Sequence, residues 1–137
     1  MSATAVATPA TSSLRRRALA VAVAVVACLA IWAIGALAGV DYTVENPGQP
    51  ATVIGAGPIF VVSLGIALLG WATLALLERF APRFARPVWT SLAVVVTLLS
   101  FAPLLSTEAT GGAKLALGAT HVAVAVVLIA LLPTRRR

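Results

Sequence analysis

The chain has 137 residues, 61% of them hydrophobic and 10% charged, with a formal net charge of +6. Soluble domains carry about 45–50% apolar and about 25% charged residues. A chain this short cannot hide such an apolar excess in a core, because much of a small domain's surface stays exposed. A soluble globular domain is therefore excluded, and the bilayer is the expected solvent.

The positive charge does not point to nucleic acid. The basic residues stand in short blocks between apolar runs, so membrane topology accounts for them. The single cysteine, Cys28, excludes an internal disulfide, a CxxC redox pair and a thiolate metal cluster. The preference for arginine over lysine, with abundant alanine and valine, fits a GC-rich bacterial genome.

Residues 1–14, "MSATAVATPATSSL", read as a disordered tail. Arg15, Arg16 and Arg17 then open the first apolar run, 18–40. "ALAG" at 36–39 has the A-x-A form of a signal-peptidase site. The run is nevertheless longer than the about 7–15 residues of a signal h-region, so it is read as a span. Gly35 and Gly39 make a GxxxG spacing and are helix-packing candidates.

The connector 41–52, "DYTVENPGQPAT", contains acids and no base. Tyr42 is expected at the membrane interface, like Trp89 further on. The second run covers 53–77, with Pro58 near its start. Gly55 and Gly57 are not a phosphate loop, since no lysine follows in the required pattern.

The turn "ERFAPRFARP" places Glu78 beside Arg79, Arg83 and Arg86. It reads as a cytoplasmic basic turn with surface ion pairs, and as a contact for anionic lipid headgroups. The third run is 88–105 and the fourth 115–132. All four lie within or near the about 17–25 residues that a spanning helix needs, and none has an acid, lysine or arginine in its interior. Trp32 and Trp71 lie in apolar segments; Trp71, the deeper, reads as packing.

These features define a disordered tail (1–14), a membrane domain (15–133) and a basic cytoplasmic tail (134–137). The expected fold is an all-α membrane protein, a bundle of four transmembrane helices. Arg15, Arg16, Arg17, Arg79, Arg83, Arg86, Arg135, Arg136 and Arg137 fall on one side and only Lys114 on the other. The positive-inside rule then places both termini in the cytoplasm of a multi-pass plasma-membrane protein.

Lys114 and His121 are the only lysine and histidine of the chain. Seven helical residues return to nearly the same face, about 10 Å further along the axis. Lys114 suits the outer interface, and His121 is expected about one third of the way into the hydrocarbon. Gly118, between them, would admit a neighbouring backbone or a water-filled crevice.

An imidazole in a span should face the bundle and be hydrogen-bonded. Ser100 and a backbone carbonyl near Gly35 are candidate partners, and Asp41 could meet Lys114. Two readings stay open: a neutral tie between helices, or a ligand, proton or ion site open to the outside. One histidine does not make a metal site. Ser106, Thr107 and Glu108 lie in a loop without a nucleophile motif, so a hydrolytic set is not supported. No catalytic or cofactor-binding residue is named, and no cofactor is expected.

The order of features resembles a known family. A basic block precedes an apolar helix with a tryptophan, followed by "GVDYTV". "GWATLALLERF" ends the second helix, "RPVWT" starts the third, and a lysine seven residues before a histidine opens the fourth. This resembles an uncharacterised actinobacterial family of four-helix integral membrane proteins, domain of unknown function 6069. The likeness covers about residues 15–133. It implies four spans and marks Asp41, the "LLERF" turn, Lys114 and His121 as features, but it implies no chemistry.

The expected function is that of a small structural or accessory membrane protein that binds a protein partner, a lipid or a second copy of itself. The alternative is a transporter or channel-like subunit with an outward-facing site around His121. Proton-coupled exporters need a carboxylate inside a span, and all four acids lie outside the apolar runs. A membrane enzyme is the lesser alternative, since a thiol-redox enzyme needs paired cysteines.

Overall fold

The computed structural model describes residues 10–133. The expected disorder of residues 1–9 and the basic tail 134–137 lie outside the described residues. Four helices run through the described residues: α1 (Ala10–Leu37), α2 (Ala56–Phe80), α3 (Ala85–Ser106) and α4 (Gly111–Leu131). Each is long and apolar enough to cross a membrane.

Helix α1 packs closely against α2 and α4, and α3 completes the ring against α2 and α4. The reason is side-chain size. Ala20, Ala24 and Cys28 are buried at i, i+4 and i+8 on α1, and such small residues let backbones approach. On α2 the buried residues are Ile59, Ser63, Ala67, Gly70 and Leu74, one face at helical spacing. Helix α3 buries only Ala85 and Trp89, both near its start.

The core is therefore concentrated toward one end of the bundle. Ala20, Val21, Ala24, Ala67, Leu74, Trp89, Leu128 and Leu132 form it. This is the end that carries the arginines. Trp89, expected at the interface, is instead only 5% exposed. Gly70 makes that possible: a Cβ there would come within 2.9 Å of the indole. The indole Nε1 has no hydrogen-bond partner among the described residues.

Helix α1 starts earlier than expected, so Ala10–Leu14 are helical rather than disordered and Arg15–Arg17 lie inside the helix. The arginines stabilise this extension. Arg17 Nη2 lies 2.5 Å from Glu78 Oε2 on α2. Arg16 Nε donates to the Leu131 carbonyl at the end of α4, 3.3 Å away. A cation at a helix C-terminus also suits the helix dipole. Glu78 thus pairs across the bundle and not within its own turn. Arg79, Arg83 and Arg86 are exposed and form no ion pair among the described residues.

The other end departs most from expectation. The two connectors form a three-stranded antiparallel sheet of β1 (Thr43–Glu45), β2 (Thr52–Val53) and β3 (Glu108–Ala109), in the order β2-β1-β3. Thr43 faces Val53 across one ladder, and Val44 faces Ala109 across the other. A turn at Gly48, with φ of 77°, closes the β1–β2 hairpin. The α4 N-cap, Thr110, accepts from the Ala113 amide and donates to the Asp41 carbonyl. Each connector therefore orients the other.

The GxxxG pair does not join two helices. Gly39 has φ of 82°, the left-handed conformation that ends a helix. Its amide donates to the Ala36 carbonyl, and the Val40 amide donates to Gly35, the double bond of a Schellman cap. A side chain at Gly35 would collide with the Tyr42 hydroxyl. That hydroxyl folds back onto α1 and donates to the Trp32 carbonyl at 3.1 Å.

The Arg17–Glu78 pair is partly exposed, at 12% and 30% of each side chain. Glu78→Gln should lower stability in detergent by about 1 kcal/mol, and Glu78→Arg by more. Combining Glu78→Arg with Arg17→Glu should restore part of the loss in thermal melts. No recovery in the double exchange would show that the pair does not hold α1 to α2.

Candidate functional site: a side-opening cleft at His121

Because α3 stands off the small-residue core, a cleft of about 590 Å³ runs between α2, α3 and α4. Its α2 wall extends from Pro58 to Thr73, about 22 Å at 1.5 Å per residue. Trp89, Gly70 and Leu128 close it toward the arginine end. Val62, Leu69 and Val96 line it and are each more than half exposed, so the cleft opens sideways between helices. In a bilayer this side faces acyl chains.

Cys28, Ser63, Thr73, Thr97, Ser100, Thr120 and His121 place polar atoms in this otherwise apolar wall. Their donors are already engaged. Ser63, Thr73, Thr97, Ser100 and Thr120 each donate to a carbonyl three or four residues back in their own helix. Cys28 Sγ reaches the Thr120 carbonyl at 3.8 Å and links α1 to α4. These bonds make hydroxyls tolerable in hydrocarbon, where an unpaired polar group is costly.

His121 is half-buried and lies midway along α4, about 15 Å from either end. It is deeper than expected because α4 begins at Gly111 and not at Leu115. Its Nδ1 lies 2.6 Å from the Leu117 carbonyl, one turn back on the same helix. A carbonyl only accepts, so Nδ1 is the donor of this bond, and in the uncharged tautomer that fits it Nε2 is an acceptor. The Phe101 ring packs beside it, with centroids 5.8 Å apart.

Three expectations change here. His121 bonds neither Ser100 nor a carbonyl near Gly35, so this hydrogen bond does not tie two helices. Ser100 does share the cleft with it. Gly118 is filled by a neighbour rather than by water: a Cβ there would meet Phe101 at 3.3 Å. Lys114 does not line the cleft and does not pair with Asp41.

Asp41 instead accepts from the Thr43 hydroxyl at 2.6 Å and the Thr43 amide at 2.9 Å. The hydroxyl, then the amide, hold its carboxyl below the usual range. Asp41 is thus a turn-former for β1. Among the described residues, no three His, Cys, Asp or Glu side chains gather as a metal site would require. Sequence reasoning missed Ser63, Thr97, Thr120 and Trp89. The available signal was hydroxyl residues inside spans at helical spacing, as in Thr97 and Ser100.

Since His121 is bonded within its own helix, His121→Ala should lower stability by no more than about 1 kcal/mol. The measurement is folded yield and melting in detergent beside His121→Gln. Collapse of the Ala variant with recovery in the Gln variant would show an interhelical tie after all.

No curated protein and no solved structure matches this chain. A model of a family of unknown function, DUF6069, matches residues 8–137. The chain therefore belongs to this family, as a small membrane protein with four helices capable of spanning the bilayer.

Proposed function

We propose that the protein is a lipid-binding membrane bundle whose cleft holds an apolar chain. The observation that carries this reading is the cleft itself, about 590 Å³ and open to the side. Small-molecule sites fall in the range of about 300–1,000 Å³ and are mostly apolar with few polar groups. The cleft is too apolar to hold a column of water, and its exposed wall faces bilayer lipid. The sideways opening favours a binder over a transporter or channel-like subunit, and the absence of acids from the apolar runs argues the same way. We propose no enzymatic step.

The exposed arginines of the α2–α3 turn support a second contact, with anionic headgroups on that face. The charge asymmetry supports a cytoplasmic arginine end. A fluorescent-protein fusion at the C-terminus should fluoresce in cells, and a periplasmic phosphatase fusion there should be inactive. The opposite pattern would reverse the orientation.

Trp89 provides a test of the cleft. In a Trp32→Phe, Trp71→Phe background, Trp89 is the only indole left and the cleft gives lipid its route to it. Vesicles of phospholipid with brominated acyl chains should quench its fluorescence. Thr97→Phe, which fills the cleft from α3, should reduce that quenching severalfold. An unquenched Trp89 in the first protein would rule out an acyl chain in the cleft.

A further inference from the structure

We propose that the cleft is a site for a neutral long-chain amphiphile with a hydroxyl headgroup, whose O–H donates to His121 Nε2. This rests on the lipid-binding reading and specifies its ligand.

The donors and acceptors of the cleft wall set the class of ligand. The hydroxyls of Thr97 and Ser100 are spent on Ala93 and Thr97 carbonyls, both at 2.6 Å. His121 Nδ1 is spent on Leu117, and Nε2 has no partner among the described residues. Near the middle of the cleft the wall therefore offers acceptors and no free donor. Trp89 Nε1 is the exception, a buried unpartnered donor at the arginine end of the cleft and away from its middle. A ligand group complementary to this wall is a hydrogen-bond donor.

Depth narrows the class. His121 lies about 15 Å along α4 from either end, well inside a hydrocarbon core about 30 Å thick. A charged phospholipid headgroup brought to that depth loses its hydration at great cost. Such a lipid can only pass its acyl chain across His121, leaving Nε2 unsatisfied. A neutral alcohol or hydroquinone on an apolar chain can reach it. Both the O–H and Nε2 then exchange an unsatisfied state in hydrocarbon for a hydrogen bond.

The test uses the full chain in detergent with paired probes. Hexadecanol is compared with its methyl ether, and a prenylated hydroquinone with its dimethyl ether, by displacement of the brominated lipid that quenches Trp89. The alcohol or the hydroquinone should displace at least about tenfold better than its ether, and the favoured pair identifies the source of the hydroxyl. His121→Phe should abolish the preference while still binding the chain. His121→Gln, which retains an acceptor, should keep part of it. Equal displacement by alcohol and ether in the Trp32→Phe, Trp71→Phe protein with His121 intact, or a preference surviving when His121→Phe is added, would overturn the proposal. If brominated lipid quenches Trp89 but neither hydroxyl probe displaces it, the hydroxyl assignment fails and the acyl-chain reading stands. If brominated lipid does not quench Trp89, that reading fails first.

Discussion

The close approach of α1 to α2 and α4 shapes everything else in this bundle. Ala20, Ala24 and Cys28 on α1 leave room for neighbouring backbones. In a membrane, where lipid is as apolar as leucine, such packing is what holds helices together. Helix α3 buries only Ala85 and Trp89, and its small residues Ala93, Thr97 and Ser100 line the cleft instead of a helix contact. It is held near its start by Ala85 and Trp89 and further along by Phe101 against Gly118 of α4, with the cleft between these contacts. The cleft is the space that this difference leaves.

The polar residues of the spans follow one rule. In hydrocarbon every donor needs an acceptor, and the nearest acceptor is a carbonyl one turn back. Ser63, Thr73, Thr97, Ser100 and Thr120 all take it, and so does His121 through Nδ1. A hydroxyl or an imidazole so engaged still has acceptor capacity. The cleft becomes a surface of acceptors without any residue being unsatisfied as a donor, apart from the buried indole N–H of Trp89.

The two ends are closed by different means. At the arginine end, Arg17 and Glu78 join α1 to α2, and Arg16 donates to the Leu131 carbonyl at the end of α4. At the Lys114 end, backbone pairing between connectors replaces charge. Tyr42 and Trp32 fasten this sheet to α1: the Trp32 indole donates to the Ile54 carbonyl at 3.0 Å, and the two rings lie 6.2 Å apart. The cleft lies between two braced ends, along the least braced helix.

The four helices were legible in the sequence because apolar length alone selects for spanning, and charge blocks separate the runs. The family was legible from short motifs such as "LLERF" and "RPVWT". His121 was legible as an oddity, since an ionisable group in a span stands out by composition. Its partner was not, because helical periodicity gives a face but not which neighbour covers it. Gly35 and Gly39 show the same limit: their spacing suits helix pairing, yet one makes room for Tyr42 and the other caps α1. The sheet was hidden because its strands are two or three residues long and one of its two ladders, β1 with β3, pairs across about sixty residues of chain. The sequence by itself determined the solvent, the number of helices and the unequal distribution of charge, because these depend on composition along the chain. Only the tertiary structure decided which helix stands apart, that Trp89 is buried, and that His121 opens onto a cleft. Those depend on which side chains meet across space.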